Sequence, residues 1–551
     1  MIKDGVGRVD AAVAPELVNR DRGGRAATVV GVGIFLSRIS GLVRGFLFTH
    51  FFGLGMESDA FGAASKIPNI MRSLLGEGSL SASFVPVYSR LLAKGDKRGA
   101  NAMAGAILGL LMASVSVLTI VGIAAAPLLT SVLTPGFSGE KRELTIQLTQ
   151  ILFPMTALMV LSGWCLGVQN SHRRFFWSYA SAAMWNIAQI VLLGAWGSRA
   201  ASMTQLAHWL AWATLAGSLL QVAVQLPEVL RLVRPFRITM NRALNGVTDT
   251  LRNIGPVVTA LGVVQLSSLI DLQIANYLPD GAISSLNNAN TIVLLPVAIF
   301  GISVAASSLP EFSRDSANFD SPSAPASGNS AMYSALLERL RGGWQRILFY
   351  IVPSTIACIA FGDMIVGLLY RSGKFGAAEQ QVVHAVLAAF AVGLVSFGSV
   401  KLLASAHYAL KDYKTPLRAS LSSLVVSAVV SIAFAWPLRH SIYGAAGIAL
   451  GTALGSYVNL SVQIRGLHKR LGALYTPHMW RGTRRIVWAT LAAALIAAPV
   501  RYLLRDYVPY VVAPPTLGIF SLSYLVVAWL MGSAEAARWL RRPVRTLGGE
   551  R

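Results

Sequence analysis

Two arginines, Arg38 and Arg44, stand inside the long apolar stretch 28–53, in the run SRISGLVRGF. Each costs roughly 2.5 to 3.5 kcal/mol on insertion scales at the centre of a membrane helix. A segment that keeps both has a use for them. The next stretch adds Asp59, Lys66, Arg72 and Glu77 in GMESDAFGAASKIPNIMRSLLGEGSL. Asp59 and Lys66 are seven positions apart, almost two helical turns, which predicts one shared face. Arg38 and Arg44 are six apart, about 120° around an ideal helix, and share a wide face only loosely. Gly41 and Gly45 give that helix room to deform and bring them together, and Pro68 must bend or break the helix ahead of Arg72.

Charges inside a membrane normally face a bundle interior or watery cavity and pair with one another. Here four cations meet two carboxylates, a surplus of two positive charges that an anionic ligand would balance. Arginine suits phosphate, because its planar fork makes bidentate bonds and stays charged. Internal salt bridges, or snorkelling to an interface, are the competing explanation. Further along, Asp271 is isolated in VVQLSSLIDLQIANYL and fits either a coupling cation or proton or a hydrogen bond to a neighbouring helix. Lys401 lies in another apolar stretch, and His407, near a helix end in SAHYALKDYKTP, fits a solvated or hydrogen-bonded ring better than a titrating switch. No HExxH, GxSxG or P-loop run is present, so nothing points to covalent chemistry.

The elements that must position these charges are membrane helices. Of the 551 residues 54% are apolar and only 13% charged, with mean hydropathy +0.57, far from the roughly 25% charged residues of soluble domains. Apolar stretches of spanning length occur near 28–53, 58–88, 100–133, 144–168, 176–197, 205–228, 248–278, 282–310, 344–370, 379–409, 416–437, 442–464, 484–504 and 510–532. They predict an all-α polytopic membrane protein of about 14 transmembrane helices. The net charge of +23 sits in short bursts on alternate connections, which fits the positive-inside rule with both termini cytosolic and gives no support to nucleic-acid binding. Residues 1–27 read as a cytosolic tail rather than a signal peptide, and 533–551 as a basic cytosolic tail. Cys165 and Cys358, both in apolar stretches, support neither a disulfide framework nor a metal cluster.

The chain also repeats itself. LLTSVLTPGF ends at Phe137 and VGLLYRSGKF at Phe375, and a basic hairpin follows each, at Arg173 in NSHRRF and at Lys411 in LKDYK. This suggests two six-helix lobes in the same orientation, 28–232 and 248–466, followed by an added helix pair in 467–532. Parallel repeats of this kind are a transporter architecture with substrate held between the halves. A basic connector, 233–247, is expected to lie along the membrane surface. The Ser- and Pro-rich stretch within 313–342 reads as a flexible cytosolic linker.

Taken together, SRISGLVRGF, GMESDAFGAASKIPNIMRSLLGEGSLSASFVPVYSR, GISVAASSLPEFSR, LYRSGKFG and HYALKDYKTP resemble the MurJ (MviN) family of lipid II flippases, over about residues 28–530. That family lies in the multidrug/oligosaccharidyl-lipid/polysaccharide exporter superfamily, with two six-helix lobes plus two helices. The resemblance implies translocation of undecaprenyl-pyrophosphate-linked peptidoglycan precursor across the bacterial cytoplasmic membrane. It implies substrate-binding roles for Arg38, Arg44, Lys66 and Arg72, and supporting or gating roles for Asp59 and Glu77. No cofactor is implied. Monovalent cation, proton or membrane potential is the expected coupling, membrane lipids and cell-wall synthesis proteins the expected partners, and the identity of any metal stays open. Two positions depart from the family pattern: Gly45, where Asp is frequent, and Thr291, where an important arginine is frequent. The alternatives are an exporter of another polyprenyl-linked glycan and a non-transporting scaffold for cell-wall synthesis.

Overall fold

The computed structural model describes residues 33, 35–305 and 326–540, and among them every regular element is a helix. The first half runs through α1 (35–52), α2 (Met56–Ala64), α3 (Lys66–Met71), a six-residue π-helix (Arg72–Glu77) and α4 (Gly78–Ala93). Next come α5 (Lys97–Ala124), α6 (Ala126–Leu133), α7 (Gly139–Leu152), α8 (Met155–Ser171), α9 (Phe175–Trp196) and α10 (Met203–Leu232). The second half holds α11 (Val247–Ala275), α12 (Ala282–Pro296) with a second π-helix (Val297–Ile302), α13 (Ala326–Ala360), α14 (Gly362–Tyr370) and α15 (Ala377–Val392). It ends with α16 (Leu394–Ala409), α17 (Lys414–Ala435), α18 (Gly444–Leu471), α19 (Pro477–Leu503), α20 (Pro509–Leu530) and α21 (Ala534–Leu540).

Among the described residues, eight helices are long and apolar enough to cross a bilayer, and two further spans are bent pairs: α13 with α14 at 80° and α15 with α16 at 41°. Helices also occupy the other four apolar stretches: α1, the broken run from α2 to α4, α9 and α11. Large apolar side chains point outward on these helices, Ile120 at 68% and Leu495 at 74% exposure, as they do where lipid is the solvent. The chain is a multi-pass membrane protein.

Two compact units divide the chain. One holds the described residues up to Phe51 with Ala63–Val132 and Ser138–Gly262; the other holds Phe52–Gly62, Leu133–Phe137 and everything from Val263. In the first, Phe84, Tyr88, Met103, Ile107, Trp164 and Val229 form part of a buried core, and the Trp164 indole donates to Ala104 O at 3.1 Å. The connector 233–247 runs against α5, with most of its residues exposed. A Cβ added at Gly105 would sit 2.0 Å from Arg237 O, and one at Gly109 2.2 Å from Thr239 O. Two glycines one turn apart open a groove on α5, and the connector backbone lies in it, tied by Asn101 Nδ2 donating to Arg234 O at 2.9 Å.

In the second unit, α13 begins at Ala326, inside the stretch 313–342 expected to be a flexible linker; residues 313–325 lie outside the described residues. The helix extends so far because Leu336, Leu337, Leu340 and Trp344 recur at helical spacing and are buried. Helices α19 and α20 belong to this unit: Arg501 pairs with Asp363 at 3.0 Å, and the Tyr524 hydroxyl donates to Phe349 O at 2.6 Å. Helices α17 and α18 meet backbone to backbone through Gly447, Gly451 and Gly455, spaced by four on one face of α18. A Cβ at Gly451 would lie 2.5 Å from Ser431 N and 2.7 Å from Ser431 Cα, atoms that cannot swing away. Gly451→Leu is therefore expected to cost at least about 3 kcal/mol, read as a lower melting midpoint of the purified protein.

The internal repeat is visible in residue geometry. A step of 238 positions carries Phe137, buried, onto Phe375, also buried, and Arg173 onto Lys411. Among the described residues these last two are the non-glycine positions with positive φ, 59° and 56°, each closing a tight turn between helices. The same step brings α7 to α10 onto α15 to α18 within a few residues. Each turn is locked with different chemistry. In the first, Gln169 Nε2 donates to Glu228 Oε2 at 3.0 Å, and the Ser178 hydroxyl donates to Gln169 Oε1 at 3.3 Å. In the second, buried His407 donates from Nε2 to Gln463 O at 3.1 Å, while its Nδ1 lies 3.2 Å from Asp412 Oδ2. His407 is thus hydrogen-bonded rather than solvated.

Asp412 also accepts from Thr415 N and Oγ1, capping α17, and pairs with Arg470 at 3.5 Å. Burial raises its pKa, but the Thr415 bonds, Arg470 and His407 outweigh burial and hold it below its ordinary value of 3.8. A lowered folded pKa gives stability that is complete above the unfolded value and lost as pH falls through the folded one. Asp412→Asn should lower the melting midpoint by roughly 3 °C at neutral pH, and the gap to wild type should close below pH 3.8. Melting curves across pH check this.

Candidate substrate-binding site

Within the first unit, α1 is seated on α9. Gly33 meets Tyr179 closely enough that an added Cβ would lie 2.9 Å from Tyr179 Cβ. Asn186 Nδ2 donates to Ser40 Oγ at 3.0 Å and Ser37 O at 3.3 Å, on the turns that carry Arg38. The Arg44 guanidinium lies over the Trp185 ring, 4.8 Å from its centroid. That stacking orients the group. Arg38 is exposed, and among the described residues no hydrogen bond or ion pair uses its side chain.

Lys66 opens α3 and is half-buried; Arg72 opens the π-helix and is half-buried as well. Gly76, with φ −101° and ψ −110°, breaks the helical path, and an added Cβ there would lie 3.4 Å from Met159 O. The missing side chain lets the kinked segment press onto α8. π-turns recur at functional sites because they re-aim neighbouring side chains. A step of 225 positions carries this π-helix onto the second one at Val297–Ile302, with Gly76 falling on Gly301. The side chain of Glu77 lies outside the described residues.

The helical run is interrupted at Ser65, between α2 and α3 and ahead of Pro68. Asp59 belongs to the second unit, buried to 1% exposure, where it caps α12. Its Oδ2 accepts from Gly281 N at 2.8 Å, and its Oδ1 accepts from Ser284 N at 2.9 Å and Ser284 Oγ at 2.8 Å. A carboxylate at a helix N-terminus answers both the orphan N–H groups and the helix dipole.

Asp271, half-buried on α11, accepts from the Thr452 hydroxyl on α18 at 3.4 Å. Of its two readings, the interhelical hydrogen bond is present. Thr291 is exposed and donates to Asn287 O at 2.8 Å, one turn back, so it offers no cationic grip. Gly45 contributes its carbonyl, which accepts from the Thr49 hydroxyl at 3.0 Å.

A feature that sequence reasoning missed is a cavity of about 370 Å³ inside the second unit, between α11, α12 and α15 to α18. Lys401, Asn290, Asn459 and several serines line it together with Phe390 and Phe397. The signal was present as spacing: Ser420, Ser423 and Ser427 on α17, and Thr452, Ser456 and Asn459 on α18, each form a polar stripe along one side of an otherwise apolar helix.

A family profile described as lipid II flippase MurJ matches residues 48–518. The lipid II flippase MurJ of Burkholderia cenocepacia is 31% identical over 482 residues, covering 86% of this chain and 88% of that protein. The probable lipid II flippase MurJ of Rhizobium tropici is 29% identical over 520 residues, covering 92% and 94%. Among solved structures, a lipid II flippase MurJ in an inward closed conformation matches with TM-score 0.74 at 21% identity, over 94% of this chain and all of that one. An inward-facing multidrug resistance MATE family transporter of the MOP superfamily matches with TM-score 0.60 at 17% identity, over 82% and 98%.

Proposed function

The chain belongs to the MurJ family of lipid II flippases, and from that premise we propose that it carries lipid II from the inner to the outer leaflet of the bacterial cytoplasmic membrane by alternating access. The observation that carries the reading is the basic set of the first unit: Arg38, Arg44, Lys66 and Arg72 on α1, α3 and the π-helix, with Arg44 oriented by Trp185. These residues grip the pyrophosphate and the sugar-peptide head, while the polyprenyl tail stays in the membrane. An inside-negative potential favours outward movement of an anion by roughly 2.3 kcal/mol per charge per 100 mV, and equally favours inward return of an empty cationic site. Coupling to a monovalent cation or proton would use Asp271, whose carboxylate is held at Thr452. Both termini are cytosolic in this reading, because the Lys- and Arg-rich connections alternate along the chain.

Thr291 favours one second reading, an exporter of another polyprenyl-linked glycan, since a hydroxyl turned back onto its own helix contributes no phosphate grip. Depleting the protein in its host and quantifying lipid II in each leaflet separates the two. Inner-leaflet accumulation reversed by the wild-type gene supports lipid II. An unchanged leaflet ratio, with another polyprenyl glycan accumulating inside, supports the second.

A further inference from the structure

We propose that an open groove on the first unit is a binding site for one membrane phospholipid, held at the level of its glycerol esters. The groove measures about 500 Å³ and runs between α5, α7, the start of α8 and α10, within the roughly 300 to 1,000 Å³ of small-molecule sites. Ile123, Ile151 and Leu215 give it apolar walls, and Gln147, Gln150, His208 and Trp212 stand among them. Two of these four are committed. Gln147 Nε2 donates to Glu143 Oε1 at 3.0 Å, its Oε1 lies 2.9 Å from His208 Nε2, and His208 Nδ1 lies 2.8 Å from Thr204 O. This run of contacts ties α7 to α10, one wall of the groove to another, so the groove is preformed. The other two are not committed: among the described residues no hydrogen bond engages the Gln150 amide or the Trp212 indole N–H.

Depth along the helix says what meets those donors. Helix α7 opens with Glu140, Lys141, Arg142 and Glu143, charged residues that belong on the water side. At a rise of 1.5 Å per residue, Gln147 and Gln150 lie about 6 and about 10 Å further in than Glu143. Each interfacial layer of a bilayer is about 5 to 8 Å thick, so both glutamines fall where headgroups end and hydrocarbon begins. Trp212, exposed on α10, suits the same boundary, where an indole keeps its ring in lipid and its N–H near polar groups. Donors left unmade at that depth are costly, because water there is scarce. The ester carbonyls of a phospholipid lie at this level and accept from both, while Ile123, Ile151 and Leu215 take the start of an acyl chain. A polyprenyl tail is hydrocarbon alone and offers these donors nothing. No Lys, Arg, Asp or Glu lines the groove, so recognition rests on neutral donors. The site stands independently of the translocated substrate.

The test places the purified full-length chain in vesicles with a trace of ester-linked phosphatidylcholine that carries a diazirine on one acyl chain. After irradiation, peptide mapping gives the ratio of label on Ile123, Ile151 and Leu215 to label on Leu495, an outward-facing side chain of the second unit. In a background of ether-linked phosphatidylcholine, which has no carbonyls, the probe should win the groove and raise that ratio at least about fivefold over a background of the ester lipid. Gln150→Leu and Trp212→Phe should each remove most of the gain, and neither breaks a hydrogen bond among the described residues. Added polyprenyl phosphate should leave the ratio where it was. A ratio equal in the two backgrounds, or a gain untouched by both substitutions, overturns the site; displacement of the probe by polyprenyl phosphate overturns it in favour of a carrier tail.

Discussion

Arg38→Ala and Arg44→Ala each leave a chain that inserts and accumulates normally but no longer supports growth or moves lipid II. The two variants differ in what else they remove. Arg38 is exposed, and no hydrogen bond or ion pair among the described residues uses its side chain, so its loss costs the fold little. Its absence is felt only when an anion must be held. Losing a pair of charge-assisted hydrogen bonds to phosphate is worth about 3 kcal/mol, roughly 100-fold in transport rate if the grip acts on the rate-limiting state. Arg44 additionally gives up its stacking on Trp185, about 1 kcal/mol, so Arg44→Ala should also melt slightly earlier. Arg38→Lys keeps the charge without the planar fork and should recover activity only in part. Leaflet-resolved quantification of lipid II, with membrane fractionation to confirm insertion, measures all three. Normal transport by both alanine variants would remove the phosphate grip from the mechanism.

The helical, membrane-spanning architecture was legible because it is written in run length. Stretches of about 20 apolar residues have one common solution in lipid. The repeat was legible for a similar reason: Phe137 and Phe375, and Arg173 and Lys411, are local features that recur at one step. Long-range partnerships were not. Pro68 announced a broken helix but could not say that the break falls at Ser65, nor that Asp59 would take the N–H of Gly281, 222 positions away. Trp185 under Arg44 is hidden likewise, since an aromatic residue in an apolar helix carries no mark of what it stacks on. The cavity around Lys401 needs six helices to exist, and each contributes only a weak polar stripe. Periodicity shows which side of a helix is polar, and only packing shows which stripes converge.

Asp59→Ala is expected to fail by unfolding the second unit locally rather than by emptying a binding site. Asp59 is fully enclosed and accepts two backbone N–H groups at the start of α12, where Gly281 sits at φ 92°. Alanine leaves both donors buried without a partner, at about 1 to 3 kcal/mol each, and removes the favourable charge at the helix N-terminus, worth up to about 2 kcal/mol. The Ser284 hydroxyl suffers less, because Ser58 Oγ is 2.6 Å away and takes over. The total, about 4 kcal/mol, should lower the melting midpoint by roughly 6 °C and reduce yield before any transport defect is read. Asp59→Asn keeps one acceptor oxygen but turns an NH2 toward the second N–H, so it should recover less than half of the loss. A gating role would behave differently. If Asp59 acted on the substrate alone, Asp59→Ala would melt like wild type and transport nothing, so a wild-type midpoint in a transport-dead variant would reject the cap as the reason for this carboxylate.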